Sequence, residues 1–398
     1  MDNFKAHRLR FVTEVQTTIE LNEHQGSAIR GALYHAMRAR FCGNKAVDEC
    51  AQCPLVLTCP VAALLSTLKP DAPGGRDVPR PFTIQPPVIA GSRERVAGSG
   101  DRVAGSGEQI AGSGERGAGS CGHPVEDEQG RLFFHYRPGE RFEFGLTLYA
   151  QALQLFPYVV LTVKTFEEGG LGRRMARDSG RWLRGILRIQ EVWAENPLTG
   201  ERQPVLASGD DTVHVPDVPI THAQVCKFAS EQVGKFASEQ VGKFASEQVG
   251  KPASLQADKS GSGCVTLRFL TPTRLVESGR LVKPHTFRFK PLLQRLLDRL
   301  ESLSRDFSDT KLDVDFSALV AASENVRVLD NRLWWEELRS YSTRRRADSP
   351  TSGLLGTVIL EADDWSPFAP YLVWGQFTHV GKDATKGNGE YRIANGEW

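Results

Sequence analysis

The first part of the chain alternates between strand-like and helix-like patterns of apolar residues. Arg8–Leu21 is rich in β-branched residues with partial alternation, which is typical of a strand. After Asn22, which we expect to cap it, a helix is predicted because Ile29, Leu33, Ala36, Met37 and Phe41 share one stripe. The later segments predict an edge strand in RPFTIQPPV, a strand over Arg141–Ala150, a helix broken by Pro157 and a closing strand over Arg181–Trp193. The order β-α-β-β-α-β is that of a ferredoxin-like domain.

The second part repeats this theme less regularly. CVTLRFLTPTRLV predicts a strand, and the segment FRFKPLLQRLLDRLESLSRDF predicts a strongly amphipathic helix. Six leucines lie on one side of that helix: Leu292, Leu293, Leu296, Leu297, Leu300 and Leu303. LLGTVILEAD and APYLVWGQFTHV follow as two apolar segments that we expect to be buried. We therefore predict an α+β protein with tandem ferredoxin-like (RRM-like) domains.

Two repeat blocks interrupt these patterns. Ile89–His123 holds five copies of a seven-residue unit dominated by Gly and Ser, which cannot form a coiled-coil seam and predicts a flexible insertion. Lys227–Asp258 holds four eight-residue units, too short for solenoid repeats, which span roughly 20 to 50 residues. The predicted organisation is one domain over 1–226 (with a Cys-rich loop at 42–59 and the repeat insertion at 89–123), a repeat linker over 227–258, and a second domain over 259–398.

The overall charge is nearly balanced, with 49 Lys and Arg against 48 Asp and Glu, and alone argues against a dedicated nucleic-acid binder. The arginines, however, are concentrated. Six of them against one acid lie between positions 172 and 188: Arg173, Arg174, Arg177, Arg181, Arg184 and Arg188. Arg344 and Arg345 belong to a second cluster beside Tyr341. A mobile Gly-Arg loop of this composition is suited to gripping phosphates in duplex RNA, although charge runs are usually solvated surface.

The composition also indicates the cellular compartment in which we expect the protein. No stretch approaches the roughly 18 apolar residues of a membrane span, and charges in the first residues are unlike a signal peptide, so we expect a cytoplasmic protein without a membrane partner. Seven cysteines in 398 residues are no disulfide framework. Four of them could enclose a structural Zn²⁺, the alternative being small buried thiols in a loop: Cys42, Cys50, Cys53 and Cys59. Nothing in their surroundings indicates a catalytic metal.

The segment HVGKDATKGNGEYRI, residues 379–393, combines glycines with lysines. Such a loop presents backbone N–H groups and ammonium charge to a phosphate, although a tight hairpin is the commoner use of this composition. It differs from a P-loop, because Gln376 stands where the first glycine should be and Asp383 replaces Ser or Thr. The candidate phosphate-binding residues are Gly381, Lys382, Lys386, Gly387 and Gly389.

With this loop the chain resembles the CRISPR precursor-crRNA-processing endoribonucleases of the RAMP superfamily. FTHVGKDATKGNGEYRI is similar to the glycine-rich C-terminal loop of that family. LRFLTPTRL, the Leu-rich helix after FRFKP, LRSYSTRR and GLLGTVIL follow one another in the family's order. IRGALYHAMRARFC, CAQCPLVLTCP and PRPFTIQPP are similar to its N-terminal part, so the resemblance covers nearly everything outside the repeats.

The resemblance implies a function. Members of the family bind a hairpin of the CRISPR repeat and cut precursor crRNA once, without a metal ion or another cofactor for catalysis. The ribose 2′-OH attacks the adjacent phosphate and leaves a 2′,3′-cyclic phosphate and a 5′-OH. The partners that it implies are the repeat RNA and subunits of a CRISPR effector complex.

Two histidines are candidates for the proton transfer that this reaction requires. The family often places a catalytic histidine on or near the first helix, where His35 lies beside Tyr34, with Arg38 on the same helical face. His379, directly before the glycine loop, is the rival. A structural histidine is the alternative at both positions.

Two other functions stay open. The chain could be a non-catalytic RNA-binding RAMP subunit that coats guide RNA inside an interference complex. It could also be a zinc-stabilised protein-interaction module whose basic stretches are incidental. Cleavage of a repeat transcript in EDTA separates the endoribonuclease from both, and binding of structured RNA separates the other two.

Overall fold

The computed structural model describes residues 1, 3–47, 49–67, 79–87, 122–128, 131–176, 180–210, 212–238, 263–308, 310–342 and 347–394. The Gly/Ser repeats up to residue 121, most of the second repeat block, and Arg177, Arg344 and Arg345 lie outside these residues. Among the described helices, none has the length and apolar character needed to cross a bilayer.

The first part of the chain forms a mixed helix and strand domain around one antiparallel sheet. Its elements are β1 (Lys5–Val15), β2 (Ile19–Asn22), α1 (Gln25–Phe41), α2 (Pro60–Leu65), β3 (Phe82–Gln85), β4 (His123–Glu126), β5 (Leu132–Tyr136), β6 (Arg141–Tyr149), α3 (Phe156–Lys164), α4 (Phe166–Gly169), β7 (Leu171–Ala176), β8 (Trp182–Gly185), β9 (Leu187–Asn196), β10 (Glu201–Leu206), β11 (Ile220–Thr221) and α5 (His222–Ser238). The sheet order is β10-β9-β1-β6-β3, with β11 beside β1. Strands β9-β1-β6-β3 with helices α1 and α3 are the ferredoxin-like arrangement.

The second part forms the same arrangement again. Its elements are β12 (Gly263–Thr273), β13 (Val276–Glu277), β14 (Arg280–Leu281), α6 (Phe289–Phe307), α7 (Phe316–Ala322), β15 (Arg327–Glu336), β16 (Arg339–Ser342), β17 (Ala347–Pro350), β18 (Gly353–Ala362), α8 (Ala369–Thr378) and β19 (Tyr391–Ile393). The sheet order is β15-β18-β12-β19, and α6 and α8 correspond to α1 and α3. The predicted α+β fold with tandem ferredoxin-like domains is confirmed.

Two hydrophobic clusters form the core, and the second also includes Phe4, Ala6 and Tyr149 of the first domain. In the first, Leu9 and Phe11 of β1 pack with Ile29, Leu33 and Met37 of α1. In the second, the six predicted leucines of α6 are all fully buried. Because burying one such side chain contributes about 1.5–3 kcal/mol, the helical stripes of the sequence decide which face of each helix meets its sheet.

Several local predictions need correction. His24, not Asn22, is the N-cap of α1; the Asn22 side chain instead accepts a hydrogen bond from the His24 backbone N–H at 3.1 Å. The predicted strand Arg8–Leu21 divides into β1 and β2. The predicted closing strand Arg181–Trp193 also divides, because its first part pairs with β7 in a hairpin while β9 joins the central sheet.

Helix α5 contains the first unit of the second repeat block. Its Val225, Ala229 and Val233 are buried in the core of the second part of the chain. The helix thus runs across the predicted domain end at residue 226. The domain limits themselves stay a prediction.

The two domains meet where α8 ends. The Phe377 carbonyl oxygen lies 2.8 Å from the Thr83 hydroxyl of β3 and 2.7 Å from the Tyr149 hydroxyl of β6. The next carbonyl, that of Thr378, accepts a hydrogen bond from Arg299 Nε of α6 at 2.5 Å. Burial raises the pKa of Tyr149 to about 12, so its hydroxyl remains a donor at neutral pH. The C-terminal carbonyls of α8 are therefore satisfied jointly by both domains.

Replacing Tyr149 with Phe removes one of these donors and leaves a buried carbonyl with fewer partners. We expect a loss of about 1–3 kcal/mol in the free energy of unfolding, measured by urea denaturation. Tyr158→Phe is the control, since Tyr158 is partly exposed and its ring contact with Phe41 survives the change. An equal loss in both variants would contradict this assignment.

Candidate active site

Helix α1 turns a polar face away from the core. His35 is exposed on this face, and the rings of Tyr34 and His35 meet edge to face with their centroids 5.6 Å apart. Arg38 lies one turn further and donates from Nη2 to the Val47 carbonyl oxygen at 3.0 Å. The structure thus brings together Tyr34, His35 and Arg38, as the sequence predicts for this helix.

The predicted mobile Gly-Arg loop is a β-hairpin, formed by β7 and β8, that packs beside α1 and β2. A Cβ on Gly185 would lie 2.4 Å from the Thr18 carbonyl oxygen, so only glycine allows β8 to approach β2 this closely. Gly170 has a φ of +68°, and a Cβ there would lie 2.8 Å from Arg184 Cβ. These close approaches fix the backbone around Arg184, whose charge acts on His35.

The surroundings of His35 are cationic. Partial burial, followed by the charges of Arg184 and Arg38, holds the pKa of His35 below its usual value of 6.5. The ring is therefore neutral at pH 7 and can accept a proton. No carboxylate pairs with Arg184 within the described residues, so its charge stays available to an anion.

The other predicted arginines of the hairpin are exposed. Arg173 forms an ion pair with Glu20 at 3.2 Å and lies over the Phe133 ring at 5.3 Å. Arg174 and Arg181 form no ion pair in the described part of the chain. Together with Arg38 and Arg184 they give the α1 side of the domain a positive surface.

The open face of the first sheet is different. Arg10 on β1 pairs with Glu143 and, at 3.4 Å, with Glu195, and Arg202 also pairs with Glu195 at 3.2 Å. Charges on this face therefore neutralise one another. Arg174, Arg181 and Arg184, which form no ion pair among the described residues, lie on the hairpin side instead.

The glycine-rich loop connects α8 to β19 and packs against the first domain. A Cβ on Gly26, in the first turn of α1, would lie 2.1 Å from the Lys386 carbonyl oxygen. Gly387 lies against Pro86 of the first domain, so Gly26 and Gly387 serve contact between the domains. Gly381 and Gly389, both at positive φ, instead approach the backbone of Arg274 and Val380 within the second domain.

The lysines of this loop differ. Lys386 forms an ion pair with Asp383 at 2.8 Å, whereas the Lys382 side chain is exposed. The predicted phosphate-binding role of the loop stays a prediction, and Lys382 is the residue whose charge faces solvent.

His379 lies in a very different environment from His35. It is fully buried with a φ of +58°, and its Nδ1 donates to the Asn388 carbonyl oxygen at 3.2 Å. Its Nε2 lies 3.5 Å from the Gln85 side-chain amide. Burial above all, and then the charge of Arg299, lower the pKa of His379 to about 3. Both ring nitrogens face protein groups, so its position supports a packing role and gives no support to the catalytic one.

The four clustered cysteines are free thiols, each partly exposed. Cys42 is within 3.5 Å of the Asn44 carbonyl oxygen. Among the described residues, which include all four, no three His, Cys, Asp or Glu side chains are grouped as metal ligands. The structural zinc stays a prediction.

Two functional features were not predicted from the sequence. Arg184 was visible as one of six arginines, but its place beside His35 depends on the hairpin. The alternation in RWLRG between two glycines could have indicated that hairpin. No local sequence pattern predicts that Gly26 packs against Lys386, because the two residues are far apart in sequence.

Comparison with known families adds a decisive observation. Residues 4–104 and 124–218 match a family model described as an N-terminal domain. Residues 267–391 match the model of the CRISPR-associated endoribonuclease Cas6. This segment belongs to the Cas6 endoribonuclease family. The resemblance seen in the sequence is thereby confirmed. Among curated proteins no match is found.

Solved structures containing Cas6 share the fold. A partial Cas6-RT-Cas1–Cas2 complex matches with a TM-score of 0.51 and 12% identity over 98% of this chain and 46% of that chain. A second Cas6-RT-Cas1–Cas2 complex gives the same TM-score and identity, with 29% of that chain covered. This chain thus spans less than half the length of those two. A Cas6 product complex matches with a TM-score of 0.46 and 12% identity over 98% and 99% of the two chains.

The electrostatic coupling of His35 to Arg184 can be measured directly. Arg184→Gln removes a positive charge that disfavours the imidazolium, so the pKa of His35 should rise toward 6.5. NMR titration of the histidine ring protons follows this shift. Arg295→Gln, a change on α6 in the other domain, is the control and should leave His35 unchanged. An unchanged titration in Arg184→Gln would remove Arg184 from the site.

Two glycines of α1 provide a test variant and a matched control for the contact between α1 and the glycine-rich loop. A Cβ at Gly26 meets backbone, which no side-chain rotation can relieve, so Gly26→Ala should lose about 1–3 kcal/mol in the free energy of unfolding. A Cβ at Gly31 meets nothing within 4 Å, so Gly31→Ala should gain up to about 1 kcal/mol from helix propensity. Urea denaturation compares the two. Equal behaviour would show that Gly26 does not pack against the loop.

Proposed function

We propose that this chain binds CRISPR repeat RNA and cuts precursor crRNA into guide units by metal-independent attack of a ribose 2′-OH. The products are a 2′,3′-cyclic phosphate and a 5′-OH. The match of residues 267–391 to the Cas6 endoribonuclease model supports RNA processing. CRISPR effector subunits as protein partners and a cytoplasmic location are parts of the same proposal.

The observation that carries the proposal is the placement of His35. It is an exposed imidazole, neutral at pH 7, with guanidinium groups from two separate elements beside it. A phosphodiester attracted to Arg38 and Arg184 is thereby brought to a group that can accept a proton. Cleavage of RNA by its own 2′-OH requires this combination of a base and cations at the phosphate.

The steps follow from these positions. His35 takes the proton of the 2′-OH as the 2′ oxygen bonds to phosphorus. Arg38 and Arg184 stabilise the added negative charge of the phosphorane. The bond from phosphorus to the 5′ oxygen then breaks, and the Tyr34 hydroxyl donates the proton that this oxygen requires. The negative charge is balanced by arginines throughout, so the reaction needs no metal ion.

The RNA path in this proposal follows the positive surface. It runs from the exposed Lys382 of the glycine-rich loop along α1 to the arginines of the β7–β8 hairpin. The open face of the first sheet, where Arg10 is already paired with glutamates, stays outside the path. Phosphate contacts of this kind give affinity that falls as salt rises.

Loss of His35 tests the proposal. His35→Ala should lower the single-turnover cleavage rate of a cognate repeat RNA in EDTA by about 10²–10⁴-fold, the usual contribution of a positioned acid or base. RNA binding should change little, because the arginines remain. His285→Ala, which removes an exposed histidine in the second domain, is the control.

Each outcome has a distinct meaning. Normal cleavage by His35→Ala would make the site assignment wrong while the activity stands. Tight binding without any cleavage by the unmodified protein would favour the non-catalytic RNA-binding subunit.

A further inference from the structure

The β7–β8 hairpin exposes apolar side chains among its arginines. Trp182 is 64% exposed and Leu183 is 49% exposed. An exposed tryptophan forgoes the hydrophobic free energy that burial of its ring would contribute. Large exposed aromatic groups therefore mark binding sites. Trp182 contacts no other aromatic ring in the described part of the chain.

The register of the hairpin fixes where Trp182 lies. Trp182 pairs with Ala176, and Leu183 pairs with Met175. Trp182 is two positions from Arg184 on β8, where the register of the hairpin shifts opposite Leu171 and Met175. At about 3.3 Å per residue this separation is roughly 6–7 Å along the strand. Trp182 is therefore near the arginine whose charge acts on His35.

The charge around Trp182 indicates which kind of ligand this surface binds. Residues 171–176 and 180–185 contain four arginines and no acid. Such a surface complements the phosphates of a nucleic acid, and an aromatic side chain complements the flat face of a base. A base offers that face only when it is unstacked, as in single-stranded segments beside a hairpin stem.

We propose that Trp182 stacks on an unpaired base of the RNA, next to the phosphate held between His35 and Arg184. This inference rests on the proposed function and adds to it a contact that positions the strand. Stacking at this point fixes the nucleotide beside the bond to be cut. It also favours substrates in which that nucleotide is unpaired.

The test compares Trp182→Ala with Trp182→Phe on a repeat RNA made uncleavable by a 2′-deoxy nucleotide. Base–aromatic stacking predicts that Trp182→Ala weakens binding by about 5- to 150-fold. Trp182→Phe keeps an aromatic face and should stay within about 3-fold of the unmodified protein. Leu329→Ala is the control, because Leu329 is 51% exposed beside Arg327, which is already paired with Glu361 at 3.0 Å.

The partner nucleotide is located by abasic substitutions along the RNA. One abasic position should weaken binding by the unmodified protein but not by Trp182→Ala, since both changes remove the same contact. Unchanged binding by Trp182→Ala, or additive effects at every position, would overturn the inference. If the stacking inference fails in this way but the unmodified protein still cuts the RNA, the proposed function stands. If the unmodified protein neither binds nor cuts any repeat RNA, both the stacking inference and the proposed function are overturned.

Discussion

The hydrogen bonds at the end of α8 hold the two domains together. The carbonyls that close a helix need partners from outside it, and here Thr83 and Tyr149 of the first domain serve Phe377 while Arg299 serves Thr378. The guanidinium of Arg299 also complements the negative end of the helix. Directly after these bonds the chain turns at His379 into the glycine-rich loop. The position of that loop therefore depends on this junction.

The candidate active site is positioned by the same junction. The first turn of α1 rests on the loop through Gly26, and its last turns are tied to the Cys-rich segment through Arg38 and Val47. The hairpin approaches α1 from the side, fixed by Gly170 and Gly185. His35 is thus presented by a helix supported at both ends, which suits a group that must meet a phosphate with little freedom to move.

Local patterns in the sequence predicted the two ferredoxin-like domains, because the strand and helix periods that define them are properties of neighbouring residues. They also predicted the grouping of Tyr34, His35 and Arg38, because these residues lie within about one turn of the same helix. The N-cap was misplaced by two residues, because Asn22 accepts from the backbone N–H of His24 and the helix begins only after His24, which makes no side-chain cap hydrogen bond. The position of His379 could not be predicted, because its burial depends on Gln85 and Arg299, which are distant in sequence.

The bond between Thr83 and Phe377 joins residues that are 294 positions apart. The hydrophobic cluster around α6 spans a similar separation, because it includes Phe4, Ala6 and Tyr149 as well as Ile393. Contacts of such long separation form late, because the chain must already be ordered on both sides before they stabilise anything. The second core is therefore complete only when the two ends of the chain have come together.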